Sequence, residues 1–356
     1  MKRILLVLLI FAVAGGLFAQ VSFSGEVGSG VFVGIEDETT VHAYNSDWVD
    51  SWYAELTGGY ETESGNAGGE FTIGNYSGDL DVGDAYVWYK PIDILTLYAG
   101  SYYQGFTTPG SAAQQINAGS SLLGVALTLD PIAGLSFGAG FAPSDGEFGD
   151  SLFNFGVSYT LSGTVSAVAN LRYNGAGNDG DGQTDAGAGI NILALRSLGF
   201  TRLAIDVAAR NLTKLDTASN GRIIVGPRIG YTAGDLTLGA RANIYVPVKD
   251  DQDLNVAAQA TVSYPVSDTL TAGVGVGYSL KGAVSDTTGD TFAPGSWSGA
   301  LTRDYSSAET SVLVINPTLS FDVFDGAIDV GYSLQTQLGS DSKLKHAIYV
   351  NFSVGF

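Results

Sequence analysis

Cysteine is missing from this chain of 356 residues, and basic residues are scarce. Without cysteine the protein has no disulfide framework, no thiolate metal site and no lipid attached to a cysteine. Lys and Arg number 16 against 36 Asp and Glu, which gives a formal net charge of -20. Binding to nucleic acid needs clustered cations that neutralise phosphates. The composition therefore excludes nucleic acid as a partner.

Histidine is nearly as rare, because His42 and His346 are the only two. One histidine in a long loop and one on an apolar strand face cannot form a multi-histidine zinc site or a Cys/His nucleophile. Gly28, Gly30 and Gly34 do not have the spacing of a phosphate-binding loop. We therefore predict that the protein is not an enzyme and has no cofactor or metal centre. The acidic run 178–185 leaves two interpretations open, a calcium site without the EF-hand pattern or a flexible hydrated loop.

The N-terminus has the three parts of a secretory signal peptide. Lys2 and Arg3 are positive, 4–13 is an apolar run of ten residues, and small residues precede Gln20. That run is shorter than the roughly 18 apolar residues that span a bilayer as a helix. We predict cleavage after Ala19, so that 1–19 is the signal peptide and 20–356 is one exported domain.

No later apolar run is long enough for a transmembrane helix, but the chain alternates with the two-residue period of β-strands. In 344–356 one face is apolar apart from His346, and in 270–280 an apolar face alternates with Thr, Gly and Ser. A soluble sandwich would carry many charges on its second face, whereas here that face is small and uncharged. This pattern is typical of an outer-membrane barrel with lipid outside and water inside.

Short turns alternate with longer polar loops along the chain, as they do between the two ends of such a barrel. The fold class that we predict is all-β, an antiparallel up-and-down transmembrane barrel of about 18 strands, with 16 as an alternative count. The strands are predicted to begin near Ser22, Ser51, Gly69, Asp84, Leu95, Ser120, Leu135, Ser151, Thr164, Asp185, Thr201, Arg222, Leu236, Leu254, Leu270, Ser311, Ala327 and Lys343. An even count leaves both termini in the periplasm.

The last strand ends on Phe356, and Phe352 and Val354 lie on the same apolar stripe. With this ending and the repeated hairpins, the mature chain resembles bacterial outer-membrane porins. The resemblance implies that these three residues form the signal that the barrel-assembly machinery reads. It identifies no porin subfamily and no solute.

Charges inside the predicted strands should face the lumen, because a Lys or Arg on the lipid face near mid-membrane costs about 2–4 kcal/mol. The basic wall is predicted on the ninth to thirteenth strands, and the acidic residues mainly on the first three and on the sixteenth and seventeenth. The pore-lining candidates are Arg172, Asp206, Arg210, Arg228, Arg241, Glu26, Glu55, Glu70 and Asp329, with Glu61 and Asp322 as further acids. They either create a transverse field at a constriction, as in general porins, or merely pair and hydrate the lumen.

The function predicted from these features is passive diffusion of small hydrophilic solutes and ions across the bacterial outer membrane. Two alternatives remain, a substrate-specific transporter and a surface adhesin or structural barrel that acts through its extracellular loops. The 104–118 and 281–310 loops suit either a constriction or a binding surface. The predicted partners are outer-membrane lipid, the assembly machinery, small polar solutes or ions, and possible copies of the chain in a homotrimer.

Overall fold

Alternation between bulky apolar and small polar residues favours strands throughout the chain, and strands dominate the structure, which is a computed structural model. The described residues are 19–35, 39–44, 53–76, 79–101, 124–144, 148–175, 182–215, 221–248, 254–280, 311–323, 325–338 and 344–355. The strands are β1 Ala19–Ile35, β2 Thr39–Tyr44, β3 Tyr53–Thr62, β4 Ala67–Tyr76, β5 Asp79–Ile92, β6 Leu95–Ser101, β7 Gly124–Ile132, β8 Leu135–Ala142, β9 Leu152–Leu161, β10 Val165–Asn174, β11 Gln183–Ile192, β12 Phe200–Arg210, β13 Arg222–Ala233, β14 Leu236–Val246, β15 Asn255–Ser267, β16 Leu270–Ser279, β17 Ser311–Val323, β18 Gly326–Leu338 and β19 Leu344–Gly355.

Each strand from β3 to β19 pairs antiparallel with the next one, and β1 closes the sheet by pairing with both β19 and β3. The closing registers join Val27 to Val354 and Gly28 to Tyr53. Closure removes the sheet edges, so that every strand of this ring has neighbours on both sides. The 18 strands of this ring confirm the predicted antiparallel barrel.

β2 is an additional short strand that we did not predict, because it lies in the segment interpreted as the first long loop. It extends β1 as a hairpin, with Phe32 opposite His42, beyond the part of β1 that pairs with β3. Most predicted strand starts lie within three residues of the observed ones. β5 begins five residues before the predicted Asp84, and β7 begins four residues after the predicted Ser120.

The two ends of the barrel differ in their connections. At one end the strands are joined by tight turns such as those between β7 and β8 and between β13 and β14, where Gly134 and Gly234 have positive φ angles of 81° and 59°. Only glycine adopts this conformation readily. At the other end most connections are longer, and two of those in the described part of the chain contain the 3-10 segments Phe148–Asp150 and Leu212–Lys214. A third 3-10 segment, Arg196–Leu198, lies in a turn at the first end.

The faces of the wall are distinguished by exposure. On β19 the side chains of Ile348, Val350 and Phe352 are 49%, 44% and 42% exposed, whereas Tyr349 and Asn351 between them are 1% and 4% exposed. The exposed face is apolar and the shielded face is largely polar, which is the reverse of a soluble protein. The outer face therefore matches lipid, and the polar face is the inner face of the barrel.

No helix in the described part of the chain is long and apolar enough to cross a membrane. Residues 1–18 lie outside the described residues, so the predicted signal peptide and its cleavage after Ala19 stay predictions. β1 begins at Ala19 itself.

Candidate pore wall

Two predicted arginines face each other on the inner face of neighbouring strands. Arg228 of β13 is the register partner of Arg241 of β14. Both side chains are partly buried, and each alternates with outward apolar residues such as Ile229 and Leu238. Directly opposite residues have Cβ atoms about 5 Å apart. The barrel thus places two guanidinium groups side by side, where they form a strong local positive charge.

Arg241 is oriented by the next strand. Its Nε donates a hydrogen bond of 2.8 Å to Oε1 of Gln259, its register partner on β15. Gln259 is 9% exposed. An amide that accepts from one edge of the guanidinium leaves the other N–H groups directed elsewhere, since arginine has five of them. The sequence prediction did not include Gln259, because a neutral amide on an inner face carries no particular signal.

Asp206 of β12 is the acidic member of this wall. It is the register partner of Gly226, two residues from Arg228 on β13, and is 1% exposed. Asp206 and the two arginines Arg202 and Arg241 lie close enough to Arg228 to interact electrostatically with its guanidinium group. The wall therefore holds several arginines around one buried carboxylate, and its net charge is positive.

Arg172 of β10 lies opposite a different carboxylate, that of Asp185 on β11. Asp185 Oδ1 accepts from Gln183 Nε2 at 2.8 Å and from the backbone N–H of Asn211 at 2.9 Å, while Oδ2 accepts from Gln183 Nε2 at 3.0 Å. These bonds fix the Asp185 carboxylate at the end of the strand. Of the acidic run 178–185, residues 178–181 lie outside the described residues.

Two arginines were missed by the sequence prediction. Arg202 is an even number of residues from Asp206 and Arg210 on β12, so it lies on the same face of the strand. In the same way Arg222 lies on the face of β13 that carries Arg228. Arg222 is the register partner of Arg210, and its guanidinium carbon lies 6.0 Å from the centre of the Tyr245 ring. The two-residue alternation alone could have identified both as inner-face residues, but they lie close to the ends of their strands. The inner face of β10 to β14 thus carries six arginines.

The predicted acids gather on the other part of the ring. Glu26 of β1 is the register partner of Glu55 of β3. Glu70 of β4 lies opposite Tyr86 of β5, whose hydroxyl donates to Glu70 Oε1 at 3.4 Å. Asp329 of β18 lies opposite Asn351, while the side chains of the two further predicted acids, Glu61 and Asp322, are exposed.

The order of the strands sets the positions of these groups round the barrel. Between β14 and β1 lie the five strands β15 to β19, and between β3 and β13 lie the nine strands β4 to β12. The Arg228–Arg241 pair is thus roughly across the ring from the Glu26–Glu55 pair. The inside of the barrel therefore has positive charge on one side and negative charge on the other.

Two of the three predicted assembly residues, Phe352 and Val354, lie on the closing strand β19. Phe352 is on the outer face, and Val354 pairs with Val27 on one side and with Gly326 on the other. Phe356 lies outside the described residues. His346 contacts the hydroxyl of Tyr332 through Nδ1 on the outer face. No group of three His, Asp or Glu side chains suited to a metal occurs among the described residues.

No protein-family model and no curated protein matches the sequence. Solved structures with a similar fold include OpdQ of Pseudomonas aeruginosa, with 11% identity and a TM-score of 0.57 over 95% of this chain and 99% of the other. OprD, an outer membrane protein of Pseudomonas aeruginosa, has 12% identity and a TM-score of 0.57 over 94% of both chains. OccAB4 of Acinetobacter baumannii has 10% identity and a TM-score of 0.56 over 95% of this chain and 98% of the other. The predicted resemblance to porins is thus confirmed at the level of the fold, a closed 18-strand outer-membrane barrel.

Proposed function

We propose that this chain is a bacterial outer-membrane channel through which small hydrophilic solutes and ions diffuse passively. The observation that carries the proposal is the closed ring of 18 strands with an apolar outer face and charged residues on its inner face. Barrels of 16 to 18 strands leave an aqueous channel, whereas barrels of about eight are filled by their own side chains. Transport then requires no covalent step, and the similar structures OpdQ and OprD have the same architecture.

Selectivity in this proposal comes from the two charged walls. The arginines of β10 to β14 attract anions, and the acids of β1, β3, β4 and β18 attract cations. In a narrow lumen such charges act at short range with little screening. A solute that carries both signs of charge would be oriented across the channel, while the pore width sets the size limit.

The decisive experiment is single-channel recording of the purified mature protein in a planar lipid bilayer. A channel gives stepwise, reproducible conductance in KCl that scales with salt concentration. A folded barrel that produces no conductance steps would disprove the proposal, and heat-modifiable migration in gels would show that the barrel was folded.

A substrate-specific channel is the second candidate, favoured by the shielding of polar inner-face residues. Asp206, Asn243 and Asn316 are at most 1% exposed, so parts of the polar inner face are covered rather than open to water. A slow, saturable flux of one solute class would favour this candidate over general diffusion.

Homotrimer formation and recognition of the C-terminal strand by the assembly machinery belong to the proposal of an outer-membrane channel. Size measurement in detergent tests the first of these.

A further inference from the structure

The inner face of β17, β18 and β19 differs from that of β10 to β14, which carries the six arginines, because most of its polar side chains are neutral amides and hydroxyls. Gln335 and Ser333 of β18 are both 0% exposed. Within the part of the chain that the structure describes, neither amide atom of Gln335 has a hydrogen-bond partner, and neither does Ser333 Oγ or Asn351 Oδ1. A buried polar group without a partner is destabilising by about 1–3 kcal/mol. Several such groups on one wall therefore need an explanation.

Gln335 and Ser333 lie on one inner-face surface with a third polar side chain, that of Asn316. Asn316 of β17 lies between Val314 and Thr318, whose register partners are Gln335 and Gly331, so Asn316 faces Ser333. Gly275 of β16 is the register partner of Asn316 and adds no side chain beside it. We call the surface formed by Asn316, Ser333 and Gln335 the amide wall.

The amide wall is linked to the arginine pair by a single row of register partners. The row runs from Arg241 to Gln259, then through Gly277 and Val314 to Gln335. Four strand spacings of about 4.8 Å separate Arg241 from Gln335 along the wall, or roughly 19 Å. Gly277 adds no side chain to the row. The two sites are therefore neighbours in the same lumen but do not share residues.

Resting on the proposed channel function, we propose that the amide wall is a binding site for neutral solutes that carry hydroxyl or amide groups. A primary amide and a hydroxyl both donate and accept hydrogen bonds. A sugar hydroxyl likewise does both, whereas an inorganic anion only accepts. Asp329, two residues from Gly331 on the same face, disfavours anions here. Binding would break no side-chain hydrogen bond of Gln335, because it makes none among the described residues.

The test uses the purified full-length mature channel, with the neutral disaccharide maltose as the probe. Maltose should reduce the KCl conductance in a saturable manner, whereas a poly(ethylene glycol) of equal hydrodynamic size, which donates no hydrogen bond along its chain, should only reduce it linearly. Gln335→Met together with Ser333→Ala should weaken maltose binding about tenfold, the effect of one or two lost hydrogen bonds. Asn191→Ala removes an inner-face amide on β11, outside the amide wall, and should leave maltose binding unchanged.

A second measurement separates this proposal from the channel function itself. Saturation-transfer NMR detects maltose on the folded barrel in detergent whether or not the barrel conducts ions. If the barrel conducts but maltose gives neither saturable block nor saturation transfer, the amide wall is not a site for neutral solutes. Equal maltose affinity in the wild type and in the Gln335/Ser333 double variant has the same consequence. Replacing Arg228 and Arg241 by Gln should change the ion preference and leave maltose affinity unaltered.

Discussion

The ring of Tyr349 on β19 covers Gly331, its register partner on β18, so closely that a Cβ at position 331 would collide with ring atoms. Tyr349 is 1% exposed and faces the inside of the barrel. The bare glycine backbone thus provides the space in which the aromatic ring lies flat against the wall. Tyr349 also lies on β19, the strand that closes the barrel by pairing with β1.

We expect Gly331→Ala to destabilise the barrel, because the added methyl group displaces the Tyr349 ring. Overpacking of this kind costs about 1–3 kcal/mol. The midpoint of urea unfolding in detergent measures the loss. Gly28→Ala is the matched control, since a Cβ there would lie 3.5 Å from the Phe352 carbonyl oxygen, an ordinary contact.

Removing the ring should rescue the substitution, since residues in contact show coupled effects. In a Tyr349→Ser background, Gly331→Ala should therefore cost much less than it does in the wild type. If Gly331→Ala lowers the stability equally in the two backgrounds, contact with the Tyr349 ring is not the reason why position 331 requires glycine.

The assignment of the two faces predicts opposite outcomes for lysine at adjacent positions of β17. Leu319→Lys places a charge on the outer face, where Leu319 is 41% exposed, and should cost about 2–4 kcal/mol if the position lies near mid-membrane. Ser320→Lys places the same charge on the inner face opposite Asp329, where an opposite charge is available. Unfolding midpoints of both variants in lipid measure the difference. Similar losses at both positions would contradict the orientation of the wall.

Much of this fold follows from the sequence because a strand with lipid on one side and water on the other must alternate. The observed starts at Leu95, Arg222 and Leu270 coincide with the predicted ones, since turns with glycine, proline or aspartate precede them. β2 was missed because its six residues lie within a polar segment and pair with β1 alone.

The inner-face chemistry was only partly predictable. The alternation of side chains along a strand identifies which arginines point inward, and Arg228 and Arg241 were found in this way. Alternation does not show which arginines are register partners, because the register of two strands depends on turn lengths and on bulges such as the one between Phe200 and Arg202. Nor can alternation distinguish the amide of Gln335, which has no hydrogen-bond partner among the described residues, from that of Gln259, which accepts from Arg241.

Deleting Val354–Phe356 should prevent assembly of the barrel. The deletion removes the pairs of Val354 with Val27 and Gly326 and the pair of Gly355 with Glu26, so that β1 and β18 each lose the end of their pairing with β19. Open strand edges promote aggregation. We expect little heat-modifiable protein in the outer membrane, measured by gel shift of membrane fractions. Leu344→Ser, at the other end of β19, should assemble normally, and normal assembly of the deleted chain would show that closure does not depend on these residues.

The final prediction concerns Arg228 and Arg241 as determinants of ion preference. Replacing both by Gln removes two positive charges from adjacent positions of the inner face and keeps side chains that form hydrogen bonds. At about 10 Å in water each charge acts on a passing ion by about 0.4 kcal/mol, so two charges change its local concentration about fourfold. The reversal potential under a KCl gradient should therefore move toward cation preference by a corresponding amount. Arg196→Gln, in the exposed turn between β11 and β12, removes a charge outside the wall and serves as the control. An unchanged reversal potential in the double variant, with folding and conductance intact, would place both arginines away from the narrow part of the pore and leave the transverse charge arrangement without a role in selectivity.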